Sequence, residues 1–106
     1  MAGKPIPAPV RRAMTQLGED LATWRRLRNL TIAQVAERAD VARGVVMKLE
    51  AGGGVTLEST LRVARALGVL DELTSSVDPY RSDVGRLRSA EVLPRRVRHS
   101  ASPQGE

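Results

Sequence analysis

The chain has 106 residues, with 17 basic and 12 acidic side chains for a formal net charge of +5, and no cysteine. That length accommodates one small domain with a modest core, and the missing thiols exclude disulfides and thiolate metal sites. No apolar run is long enough to span a bilayer, and the opening "MAGKPIPAPVRRAM" lacks the apolar centre of a secretory signal, so the expectation is a soluble, cytoplasmic protein with no membrane partner.

The charge is unevenly placed. Residues 1–15 carry Lys4, Arg11 and Arg12 without an acid, residues 16–78 sum to −1, and residues 79–106 carry six arginines against Asp83, Glu91 and Glu106. A near-neutral body between two basic arms suits a polyanion; solubilising termini are the plain alternative.

In chain order, "GKPIPAPVRRAM" has three prolines and no periodicity, which predicts an extended or disordered basic arm over 1–15. Thr15 then offers an N-cap. Leu17, Leu21 and Trp24 recur at helical spacing through residue 28, which places Trp24 in the core, and Asn29 can close the helix because it tolerates a left-handed backbone. Thr31 caps a second helix with Ile32, Val35, Ala36 and Ala39 inward, and Asp40 breaks it. A third runs from Arg43 to Glu50 with Val46 and Leu49 inward and stops at Gly52. Thr56 caps a fourth, with Leu57, Leu61, Ala64 and Leu67 aligned, ended by Gly68; Val69 to Val77 forms a fifth with Leu70, Leu73 and Val77 on one face. Nothing reads as a strand. Beyond Pro79, "SDVGRLRSAE" has the pattern for one or two helical turns, and "VLPRRVRHSASPQGE" is expected to be extended.

The second and third helices are separated only by a tight turn, and their crossing requires a small side chain, which Ala36 supplies. Tucking Val41, Val46 and Leu49 against the second helix leaves Arg43, Gly44, Met47 and Lys48 outward. That arrangement is a helix-turn-helix whose second helix is free to enter a DNA major groove by its N-terminal end.

Residues 17–73 resemble the Cro/Xre-type helix-turn-helix domain of bacterial and phage repressors, in "LGEDLATWRRLRNLT", "VAERADVARGVVMKLEAGG" and "TLESTLRVARALGV". The resemblance implies an all-α, five-helix, lambda-repressor-like domain over 16–78, flanked by basic, partly disordered arms at 1–15 and 79–106. It also implies that Arg25 of the first helix pairs with Glu50 at the end of the recognition helix. The chain departs from the family pattern at three positions. Ile32 stands where the family has a phosphate-binding glutamine, Asp40 where it has a turn glycine, and Ala42 where it has a capping serine or threonine.

Arg43 and Lys48 are the candidate base-edge donors, Val45 and Met47 can press on thymine methyl groups, and Gly44 lets the backbone approach. Arg28, and the helix starts at Thr31, Ile32 and Ala42, are candidates for holding phosphates. Catalytic and metal readings fail on inventory: His99 is the single histidine, and "GGGVT" lacks the lysine and hydroxyl residue of a phosphate-binding loop, so neither a catalytic role nor a cofactor is expected.

The tail resembles the C-terminal extension of HipB-like antitoxins, which implies a HipA-type kinase toxin as partner. A phosphate-contacting arm and a segment exchanged across a dimer remain alternatives. The leading expectation is a dimeric, sequence-specific transcriptional repressor at the nucleoid, binding an inverted repeat in duplex DNA. The alternative is an adaptor that uses the same helical domain to bind a protein without specific DNA binding.

Overall fold

In the computed structural model, which describes residues 3–93, the described residues form six α-helices and no strand. They are α1 (Ala8–Leu27), α2 (Ile32–Ala39), α3 (Arg43–Glu50), α4 (Leu57–Leu67), α5 (Leu70–Ser75) and α6 (Asp83–Val92), with a 3-10 turn at Pro79–Arg81 before α6.

Each of the first four helices ends on a residue with a left-handed backbone: Asn29 (φ 57°), Asp40 (φ 58°), Gly52 (φ 82°) and Gly68 (φ 79°). At α1 the Asn29 N–H donates to the Arg26 carbonyl (2.9 Å) and the Leu30 N–H to the Arg25 carbonyl (3.0 Å). Asp40 and Val41 repeat this pair of bonds on Glu37 and Ala36, Gly52 and Gly53 on Leu49 and Lys48, and Gly68 and Val69 on Arg65 and Ala64. Carbonyls at the ends of these four helices are therefore satisfied locally, and the chain turns without a long loop.

Starts are marked as clearly. Thr31 and Gln34 form a reciprocal capping box: the Thr31 hydroxyl accepts from the Gln34 N–H (3.0 Å), and the Gln34 amide oxygen accepts from the Thr31 N–H (2.8 Å). The Thr56 hydroxyl accepts from the Ser59 N–H at the start of α4.

The core is one cluster of Leu21, Val35, Ala36, Ala39, Val46, Leu49, Val63, Ala64 and Leu67, closed by Leu30 and Val69 from the turns. Val35 and Val46 are fully buried and Ala36 is 4% exposed, so the small residues of α2 lie where α3 and α4 pack against it.

Several expectations are corrected. Residues 8–15 are helical rather than an extended arm, and Thr15 lies inside α1. Pro7 is the N-cap and Pro9 sits in the first turn, where a missing N–H costs nothing because that group has no helical acceptor. Trp24 is not core: it is 40% exposed, and the Arg28 guanidinium lies 5.3 Å from the centre of its ring. On α4 the buried face is rotated toward Val63, leaving Leu57 73% exposed. Helix α5 stops at Ser75, so Val77 lies outside it and is exposed. Five helices lie before residue 78, as expected, while the expected turn or two at 82–91 extends to the ten residues of a sixth helix, α6. Val97, His99 and the remainder of the expected extended tail lie outside the described residues.

The chain divides into two compact units, the second beginning at Thr74. Within the second, the Asp78 carboxylate accepts from the Tyr80 N–H, and the Ser82 hydroxyl accepts from the Gly85 N–H to cap α6. Gly85 lies against the Pro79 carbonyl, an approach that leaves no space for a Cβ.

Two features fix α3 against α1. Gly18, buried in α1, faces the Leu49 and Glu50 carbonyls so closely that a Cβ would overlap them. The Arg25 guanidinium spans three elements: Nε donates to Glu50 Oε2 (2.8 Å), Nη2 to Oε1 (3.3 Å), and Nη1 to the Leu30 carbonyl (3.0 Å). The Arg25 and Glu50 side chains are only 14% and 13% exposed.

Gly18→Ala gains about 1 kcal/mol of helix propensity. It forces two backbones apart, however, at a cost of about 1–3 kcal/mol. The variant is expected to melt below the wild type, and a higher melting temperature would refute the close approach. Arg25→Met strands the half-buried Glu50 carboxylate and should cost about 2–4 kcal/mol. The double variant Arg25→Met/Glu50→Leu should lose less than Arg25→Met alone in chemical denaturation, because no unpaired charge then remains.

Candidate nucleic-acid interface

Helix α3 buries Val46 and Leu49, ties Glu50 to Arg25, and turns its opposite side outward. Ala42, Arg43, Gly44, Met47 and Lys48 are exposed and Val45 is half-buried. Its start differs from those of α2 and α4, because Ala42 occupies the N-cap and supplies no side-chain acceptor. The N–H groups of Val45 and Val46 both reach the Ala42 carbonyl (3.0 and 3.4 Å). Those of Arg43 and Gly44, the first two in the helix, have no helical acceptor and face outward at the tip. The tip therefore combines two open backbone donors, a guanidinium, and a glycine with open space around its Cα.

Shallow grooves flank this ridge. One lies between α1 and α3 and is lined by Glu19, Thr23, Arg26, Ile32, Met47 and Ala51, among others. The second, between α3 and the start of α4, is lined by Val45, Lys48, Gly54, Val55, Thr56 and Ser59. Met47 thus belongs to the first groove and Lys48 to the second, with Arg43 at the N-terminal end between them. The ridge presents cations and apolar atoms along one face, the mixture that reads base edges and thymine methyls in a major groove.

The residues singled out from sequence do not all converge. Arg43, Gly44, Val45, Met47 and Lys48 share the ridge, and Ile32 reaches it through the first groove. The Thr31 hydroxyl and N–H are both committed to the capping box, so the open donors at that helix start are the Ile32 and Ala33 N–H groups. Arg28 goes elsewhere: its Nε donates to the Leu67 carbonyl (2.6 Å) at the end of α4, and its guanidinium packs beside Gly68. Arg25 and Glu50 form the ion pair described above and hold the ridge without lining its tip.

Arg26 was not singled out from sequence, yet it lines the first groove with Ile32 and Met47. The signal was its spacing, one turn beyond Ala22 and Thr23, which line the same groove. Reading that signal required knowing which flank of α1 meets α3.

Among the described residues, no cluster of three or more histidine, cysteine, aspartate or glutamate side chains could hold a metal ion. Nor is any helix there long and apolar enough to cross a membrane. His99 lies outside the described residues.

No match was found among curated proteins. Residues 16–77 match the family model described as a helix-turn-helix domain, and this span covers α2, α3 and their left-handed turn at Asp40 within more than half of the chain. The chain therefore belongs to the helix-turn-helix family of DNA-binding domains.

Proposed function

We propose that the protein is a transcriptional repressor that binds an inverted repeat as a homodimer, with α3 in the major groove. The observation that carries this reading is the α3 ridge: an outward face with Arg43 and Lys48, an uncapped start, and a rigid seat formed by Arg25, Glu50 and Gly18. Arg43 reads a guanine edge in bidentate fashion, Lys48 donates to a neighbouring base, and Val45 and Met47 meet thymine methyls. Gly44 admits the backbone. The Ile32 and Ala33 N–H groups hold a phosphate at the start of α2, where Arg26 supplies the side-chain charge that Ile32 lacks. Two copies related by a twofold axis place their recognition helices about 34 Å apart, one turn of duplex.

A second role rests on the unit beginning at Thr74. Val84, Leu87 and Val92 are 71%, 66% and 57% exposed on the single helix α6, more apolar surface than a purely electrostatic arm requires. We assign this segment to a protein partner, and the chain to an antitoxin-type regulator whose partner is a HipA-like kinase toxin.

A mobility shift on the DNA upstream of the coding sequence tests the first reading; a protein that shifts neither this DNA nor any other duplex would instead be an adaptor. Arg43→Ala should cost about 1–3 kcal/mol of binding and relax preference at one position of each half-site. Equal weakening on specific and random duplexes would reduce Arg43 to a phosphate contact. Deleting residues 79–106 should abolish capture of the neighbouring gene product while sequence preference on DNA survives. Retained capture would refute the partner assignment.

A further inference from the structure

The two N-terminal turns of α1 extend beyond the body, and nothing in the reading above uses them. Residues 8–13 are all exposed, and Arg11 and Arg12 have no ion-pair partner among the described residues. No acidic residue precedes Glu19.

The packing of α1 on α3 shows where this extension points. Gly18 lies on the carbonyls of Leu49 and Glu50, and the Gly52 Cα faces Thr15, whose Cα would lie 2.9 Å from an added Cβ. Further toward the N-terminus, Met14 approaches Gly54. As the α1 number falls, the α3 number rises, so the two helices run past each other in opposite senses. Arg11 is one turn before Thr15 on the same side of α1, because residues four apart stack on one helix face. It therefore projects past the C-terminal end of α3, alongside the loop that follows.

The charge placement is electrostatically unfavourable for the helix itself. An α-helix carries partial positive charge at its N-terminus and favours acids there. Here the first turn has no acid, the Pro7 cap supplies no side-chain acceptor, and two arginines follow. Among the described residues no acidic side chain pairs with them, whereas an anion lying across the extension would compensate their charge.

We propose that the N-terminal turns of α1 form a second backbone clamp on duplex DNA, with Arg11 and Arg12 holding phosphates at the end of the α3 ridge remote from Arg43. The inference rests on the DNA-binding reading and deepens it. A recognition helix in the major groove leaves the sugar-phosphate strand passing its exit end, where the extension stands. The clamp contributes affinity without sequence preference.

The test is a salt titration of full-length protein on a random-sequence 30-bp duplex, followed by fluorescence anisotropy, comparing wild type with Arg11→Gln/Arg12→Gln. Removing two phosphate contacts should lower the slope of log affinity against log salt by about 1.8. Arg11→Lys/Arg12→Lys should restore it. The lysine variant should melt with the wild type, and the glutamine variant at or slightly above it, because it removes cations from the start of α1. An unchanged slope in the glutamine variant overturns the clamp and leaves the role of α3 intact. Arg65→Gln removes a charge from α4 beside Leu61 and Leu70; an equal change per charge in that variant would reduce the effect to net charge and also overturn the proposal. A wild-type protein that binds no duplex overturns the DNA-binding reading and the clamp with it.

Discussion

The Arg25 guanidinium donates at once to both Glu50 carboxylate oxygens and to the Leu30 carbonyl, and through these bonds α1 holds both the turn leading into α2 and the end of α3. A lysine could not replace it, because a single ammonium lacks the planar fork that meets two carboxylate oxygens and a third acceptor together. The dependence is acute for α3, whose eight residues bury only two side chains. A helix this short has little stability of its own. Its orientation, and so the direction in which Arg43 and Lys48 face, comes from the pair at one end and from the backbone contact that Gly18 permits.

Helix boundaries were legible in the sequence because they are chemically marked. Asn29, Asp40, Gly52 and Gly68 are residue types that adopt a left-handed backbone at low cost, and Thr31 and Thr56 are hydroxyl caps. The start of α1 was not legible, because proline has two meanings. Three prolines in a short stretch suggest an extended chain, yet Pro7 and Pro9 fall at the cap and first turn, positions a helix tolerates. Periodicity misled differently at Trp24 and Leu57. It identifies an apolar stripe but not how far the neighbouring helices cover it, and both residues lie where that cover ends.

The site divides along the same line. Which side of α3 faces outward follows from the helical repeat once Val46 and Leu49 are assigned inward, so Arg43, Gly44, Met47 and Lys48 could be named from sequence. Arg26 and Arg28 could not be told apart that way. They are two residues apart and point to nearly opposite sides of α1. One lines the groove beside Met47, while the other reaches the Leu67 carbonyl at the end of α4. Only the tertiary arrangement decides which is which, because both are polar and both precede the same turn.

The caps of the body also show where local stability has been relinquished. Helix α2 carries a full capping box and α4 a threonine cap, whereas α3 starts at Ala42 with none. An alanine at that position typically forgoes about 1 kcal/mol relative to serine, threonine or aspartate. A capping side chain would also occupy an N–H group at the tip of the ridge, leaving one donor fewer for the proposed contact with DNA. The N-terminus of α1 follows the same pattern, with arginines where acids would stabilise the helix. Neither helix has an acid in its first turn, and a polyanion lying across α3 and the α1 extension, as proposed, would supply negative charge to both.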